Sequence, residues 1–412
     1  MAVNLIRNAK VFFTAVDSVT GKIVAATART AANTFELQPL DGMSFSQNTT
    51  LDTVTLSESG STPSRGQRSF ATSLDPVDWS FSTYIRPKMT EGGTVSAGLD
   101  IGDFVRCEEA CLWNAMFSAT AVDLSSATAI NTANAAYSET ASTGASDVPV
   151  STITTVNSNL NQLLRFGLII LFDDTTILIH NCVVDQASID FGLDQIGTIA
   201  WTGKGTELEV LATAATATTG TFGGGLSGVY TQKSTTAKYI TNKLSAVQLT
   251  ATNAKYGQSG TQYVFPITGG NITIANNVTY LVPAAMGTVN KPIDYFTGTR
   301  SITGSLTAYL RTGSTNTVGM LSSLLTQAAS YDQNQFNIDL GMGGSIAAPT
   351  ASTLENKLVF NLPSAMVQLP QVATEQVISA TINFTAQGNN SGTYDIDQKN
   401  EMTVKYYAGP AV

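Results

Sequence analysis

The chain has 412 residues, long enough for two domains of about 200 residues, each with its own core. Only 12% of the residues are charged against 43% hydrophobic, and 21 Lys and Arg against 30 Asp and Glu leave a formal net charge of −9. This excludes charge-driven disorder and a conventional nucleic-acid binder, which needs basic patches for the phosphates. It implies a β-rich protein with broad polar, uncharged surfaces, suited to burial between subunits because charges are costly to desolvate there.

The first ten residues, MAVNLIRNAK, hold no apolar core of signal-peptide length, and three cysteines make no disulfide framework in a chain this long. Synthesis in a reducing cytosol is the expectation. The first clear strand lies near residue 80. Trp79, Phe81, Thr83 and Ile85 fall on one face, and Ser80, Ser82, Tyr84 and Arg86 on the other. A helix is predicted over Glu108–Phe117, its two acids in the first turn favouring the helix dipole. Residues 119–159 are rich in Ala, Ser, Thr and Asn with little periodicity, and read as an insert, either a gripping arm or a surface loop. The longest apolar run, FGLIILF at 166–172, is far too short to span a membrane and predicts a buried strand.

Strands are predicted at 177–184 and 196–202. Between them Ala187, Ile189, Phe191 and Leu193 share one face, with Asp190 and Asp194 opposite. Residues 212–238 contain TAATATTG and GGGLSG and read as a linker or arm, so the expected domains are 1–235 and 236–412. In the second, Ile302, Gly304, Leu306, Ala308 and Leu310 form one strand face. A helix is predicted over Thr317–Ala329, with Val318, Leu321, Leu325 and Ala328 as its apolar stripe. Strands follow at 358–361 and 377–385.

These elements occur twice. SFSTYIR at 80–86 matches SLTAYLR at 305–311, which aligns Tyr84 with Tyr309 and Arg86 with Arg311. Residues 181–189 and 198–205 match 364–372 and 381–388 in a single ungapped register. In both copies the helix follows the Tyr-x-Arg strand and precedes the second strand set. Two sister domains in one chain point to an assembly subunit.

Catalytic motifs are wanting. His180 is the sole histidine, sits in a strand, and has no Gly-x-Ser-x-Gly turn to serve. Cys107 and Cys111 have helical i, i+4 spacing, but only His180 and Cys182 remain to complete a zinc site; buried small apolar residues is the better reading. Thr202-Gly-Lys-Gly lacks the upstream glycine of a phosphate loop, and its counterpart Thr385-Ala-Gln-Gly lacks the lysine, so both read as turns. Gly269-Gly-Asn271 reads as a turn as well. No enzyme activity, cofactor or metal is expected.

The stretches 181–205, 269–283, 290–310 and 79–87 resemble the tail tube proteins of long-tailed bacteriophages. The resemblance implies a mainly β chain: two β-sandwich or half-barrel domains, each with a flanking helix, plus long loops or arms. It implies rings stacked into a tube that conducts the genome, with the inner sheets of neighbours joined into a channel. The usual ring of that family has six single-domain subunits, so a duplicated chain would need three. The implied setting is the virion tail, non-contractile by preference, after synthesis in the host bacterial cytoplasm. The implied partners are copies of itself, a tape-measure protein, tail terminator and tail-tip proteins, and double-stranded DNA passing without specific binding. An acidic wall would repel phosphates, which makes Asp190 and Asp194 candidates for the lumen, with ordinary outer surface as the alternative. Other virion parts (sheath, tail terminator or capsid decoration) share the composition, and a bacterial surface β-protein would need a secretion signal.

Overall fold

A computed structural model describes residues 9–54, 66–90, 99–131, 136–144, 146–155, 162–172, 175–193, 195–211, 230–231, 238–251, 260–284, 286, 289–330, 335–374, 378–388 and 400–409. The fold is mainly β, and the described residues include two α-helices, Ala110–Phe117 and Thr317–Ser330. Apart from Tyr230–Thr231, which runs parallel to Phe35–Glu36, the paired strands are antiparallel.

Alternation drives the strands as expected. Val77–Tyr84 buries every second residue, Val77, Trp79, Phe81 and Thr83. Ser301–Tyr309 buries Ile302, Leu306 and Ala308 in the same way. Phe166–Leu171, buried throughout, is the strand predicted from its apolar run.

The two parts of the chain repeat one strand order. In the first, Val77–Tyr84 pairs with Thr198–Gly205, then come Thr176–Asp190, Phe166–Leu171, Lys10–Ala15 and Thr34–Leu37. In the second, Ser301–Tyr309 pairs with Ile378–Ala386, then come Lys357–Val367, Gln335–Met342, Ala246–Ala251 and Gln262–Phe265. The outer strands correspond too. Ser44–Ser46 lies beside Val77–Tyr84 as Ile267–Ala275 lies beside Ser301–Tyr309. Register differs slightly: Tyr84 faces Thr198, whereas Tyr309 faces Ser379. Relative to the sequence match the second pairing has slipped by two residues, and an even slip leaves every side chain on its face.

The halves are sewn together. Gln186–Asp190 of the first pairs on its other side with Asn271–Ala275 of the second. One apolar core runs through both, with Phe191 against Phe360 at a ring-centroid distance of 6.3 Å. Tyr280 and Tyr295, from the hairpin Val278–Leu281/Asp294–Thr297, pack onto Leu163 and Val183 of the first half.

Four local expectations are corrected. The insert at 119–159 is not featureless: Tyr137–Thr140 and Val150–Thr154 form an antiparallel pair, and the latter also pairs with Thr403–Tyr407 near the end of the chain. Arg106 anchors this region through Nε and Nη2 to both carboxylate oxygens of buried Glu139, at 2.6 and 2.7 Å. The first helix starts at Ala110 rather than Glu108, all eight of its residues are buried, and Glu109 stands at its start without a capping bond. The second helix buries Thr317, Met320 and Leu324, while Leu325 of the predicted stripe is 52% exposed. Leu193 leaves the buried face in a turn and is 56% exposed. Most of the 212–238 linker lies outside the described residues.

Candidate functional site

Sheet register builds a broad polar surface from alternation alone. Ser82, Ala200, Ser188, Thr273, Thr303 and Thr385 follow one another across six neighbouring strands in a single row. The next row, Phe81, Trp201, Ala187, Ile274 and Ile302, points the other way into the core. Hydrogen bonds tie the polar face together: Asn271 Oδ1 accepts from Ser305 N–H at 3.0 Å and from Ser305 Oγ at 2.9 Å.

This face is nearly uncharged. Counting Ser44–Ser46, Val77–Tyr84, Thr198–Gly205, Gln186–Asp190, Ile267–Ala275, Ser301–Tyr309, Ile378–Ala386 and Gln371–Thr374, the run holds three formally charged side chains: Asp78, Lys204 and Asp190. Asp78 and Lys204 pair at 3.5 Å. Asp190 is exposed opposite Asn271, at a shallow depression it shares with Gly269, Gly270 and Ser305. Asp194 lies outside the described residues. The net acidity of the chain is thus carried elsewhere.

Tyr84 and Tyr309 each close their strand, but their surroundings differ. The Tyr84 ring meets Tyr239 edge-on at 5.1 Å. Arg86 donates to Gln38 Oε1 at 3.0 Å and pairs with Glu108 at 3.1 Å, its guanidinium 4.8 Å over the Tyr239 ring. Tyr309 is 46% exposed, Arg311 is exposed, and the Arg311 N–H donates to Thr317 Oγ1 at 2.6 Å.

The residues weighed for chemistry are built into the fold. The Ile23 N–H donates to His180 Nδ1 at 3.1 Å, so the ring proton sits on Nε2 and faces Glu209 at 3.0 Å. Cys107, Cys111 and Cys182 are buried thiols outside any disulfide, and burial pushes the Cys107 and Cys182 thiols up. No group of three metal-ligating side chains occurs among the described residues. Burial also raises the Glu109 carboxyl from 4.5 to about 8, with Tyr406 OH donating to its Oε1 at 2.5 Å.

Both glycine segments read as turns are strands. Gly203 lies inside Thr198–Gly205, where a Cβ would stand 2.2 Å from the Trp79 ring and 2.3 Å from Val183 O. Gly270 lies inside Ile267–Ala275, where a Cβ would meet Ser305 O at 2.4 Å. These glycines admit close neighbours rather than bend the chain. The sequence reading therefore missed the strand that joins the two halves, although Ile272 and Ile274 gave a weak alternating signal for it.

A mainly β chain with a broad, nearly uncharged strand face, whose outer strands Ser44–Ser46 and Gln371–Thr374 each pair on one side among the described residues, fits the class of self-assembling structural proteins. Residues 87–386 match the family described as phage tail tube protein. The chain is also similar to "Tail tube protein pb6" of Escherichia phage T5, at 29% identity over 391 residues, covering 94% of this chain and 73% of that protein. The chain belongs to the phage tail tube protein family. It is a structural component of the virion tail that assembles with itself into a tube.

Proposed function

We propose that three copies of this chain close a ring of pseudo-sixfold symmetry, in which 1–235 and 236–412 act as sister domains at alternating positions. The observation that carries this is the repeated strand order, together with the direct pairing of the two halves through Gln186–Asp190 and Asn271–Ala275. A heterologous contact of this kind closes when its rotation closes. Tyr84 and Tyr309, with Arg86 and Arg311, then occupy corresponding places around the ring.

The polar strand face is the channel wall, with Asp190 on it. Because it offers hydroxyls and amides and no excess of cations, it gives passing double-stranded DNA no cluster of charges to bind. The chain works without catalysis or cofactor. Stacked rings meet a tape-measure protein inside and terminator and tip proteins at the ends, in a non-contractile tail built from subunits made in the host cytoplasm. Cryo-electron microscopy of assembled tubes tests this. Three chains per ring with Asp190 facing the bore is the expected result; six chains per ring, or Asp190 facing outward, would overturn it.

A further inference from the structure

Beside the start of helix Ala110–Phe117 lies a cavity of about 170 Å³. Gln38, Tyr84, Arg86, Glu108 and Glu109 line it from the first half of the chain, and Tyr239 from the second. Two carboxylates thus share the cavity with one guanidinium. Arg86 is held by Glu108 at 3.1 Å and by Gln38 Oε1 at 3.0 Å, over the Tyr239 ring.

Glu109 is 1% exposed. Its Oε1 accepts from Tyr406 OH, which in turn accepts from Trp113 Nε1 at 2.8 Å. Its Oε2 is buried and has no hydrogen-bond partner among the described residues. A buried carboxylate oxygen left in this way costs free energy unless a proton or a cation meets it.

We propose that the cavity binds a small organic ammonium ion, whose –NH3⁺ donates to Glu109 Oε2 while its alkyl stem rests against Leu37, Leu40 and the Tyr84–Tyr239 ring pair. The lining fits that chemistry. Aromatic faces attract ammonium groups, and Tyr84 and Tyr239 supply two of them. The volume is close to the roughly 150 Å³ that holds benzene, enough for a diaminobutane of as many heavy atoms. A Mg²⁺ or Ca²⁺ ion wants about six oxygens, and no group of three metal-ligating side chains occurs among the described residues. This site stands apart from the ring reading, which neither supports nor needs it.

Binding carries a proton signature. Burial chiefly raises the Glu109 carboxyl to about 8, so below that pH an arriving ammonium displaces a proton. The other groups facing Glu109 do not confuse the reading. Burial holds Tyr406 and Cys107 well above their ordinary values and hence neutral, and Arg86 and Glu108 form an ion pair. Primary amines themselves stay charged to about pH 10.

Calorimetric titration of the full-length chain with 1,4-diaminobutane tests the site. Affinity should rise about tenfold between pH 6 and pH 7 and level off above pH 8. Titration in two buffers of different ionisation heat should show about one proton released per ligand at pH 6.5 and almost none at pH 9. That measurement needs no variant. Glu109→Gln should weaken binding at least tenfold at pH 8.5, and 1,4-butanediol, equally long but uncharged, should not bind.

Uptake without proton release at pH 6.5, undiminished uptake by Glu109→Gln, or equal binding of the diol would overturn the proposal. So would weak binding at many sites, which the net charge of −9 alone would give. Uptake by free chains that vanishes in assembled tubes would overturn a free ligand and assign the ammonium to a lysine of a second copy.

Discussion

Gly203 shows how much a single side chain, or its absence, can decide. The glycine lets Trp79 and the Val183 carbonyl close over the strand from both sides. Gly203→Ala forces one of them away, and about 1–3 kcal/mol should be lost in urea unfolding, the usual cost of overpacking. Glu109 gives a pH signature. Its carboxyl is raised to about 8, chiefly by burial, and its Oε2 is buried without a hydrogen-bond partner. A group raised above its unfolded value contributes stability that is fully present below the unfolded pKa near 4.5 and is lost as pH rises through about 8. Glu109→Gln should therefore raise the unfolding midpoint relative to the parent at pH 9 and leave it nearly unchanged at pH 5, as scanning calorimetry would read. Neither effect was legible in the sequence. The two glycine segments carried the residues of turns, and only the approach of Trp79 and the Ser305 carbonyl makes them strands. The acidic pair at 108–109 read as first-turn acids favouring the helix dipole, a pattern that carries no sign of burial, and only tertiary packing buries it.

At the scale of elements, alternation revealed Val77–Tyr84, Ser301–Tyr309 and Ile378–Ala386, because one face of each is packed and the other solvated. The segment 119–159 resisted because its order comes from afar: a guanidinium at 106, and a strand at 403–407 some 250 residues on. Arg106→Ala leaves the Glu139 carboxylate buried without its cation and should cost about 3–5 kcal/mol. Hydrogen exchange would locate the damage in Val150–Thr154 and Thr403–Tyr407 together. The hairpins Val278–Leu281/Asp294–Thr297 and Thr49–Val54/Arg68–Leu74 make a matched comparison. Tyr295→Ala strips a buried ring whose hydroxyl donates to the Leu163 carbonyl, and should destabilise the isolated chain by about 3 kcal/mol. Phe70→Ser touches a ring 53% exposed and should change chain stability by under about 0.5 kcal/mol while lowering tube yield. A Phe70→Ser chain that assembles as well as the parent would show that its hairpin needs no cover.

For the whole molecule, the family was legible before the architecture that serves it. The repeat located matching strands, but the inner seam depended on Ile267–Ala275, whose glycines and polar residues hid it. The ring prediction is countable: native mass spectrometry of small assemblies should give multiples of three chains, and a dominant six-chain ring with no three-chain form would defeat it. The seam also bears on how fast a tube can start. Gln186–Asp190 and Asn271–Ala275 meet within one polypeptide, so every second contact of a three-chain ring forms without diffusion, at the high local concentration a tether provides. Nucleating such a ring is an encounter of three bodies where unfused domains would need six. The lag before tube growth should then lengthen far less steeply on dilution than it would for single-domain subunits, and a chain cut between its halves should regain the steep dependence.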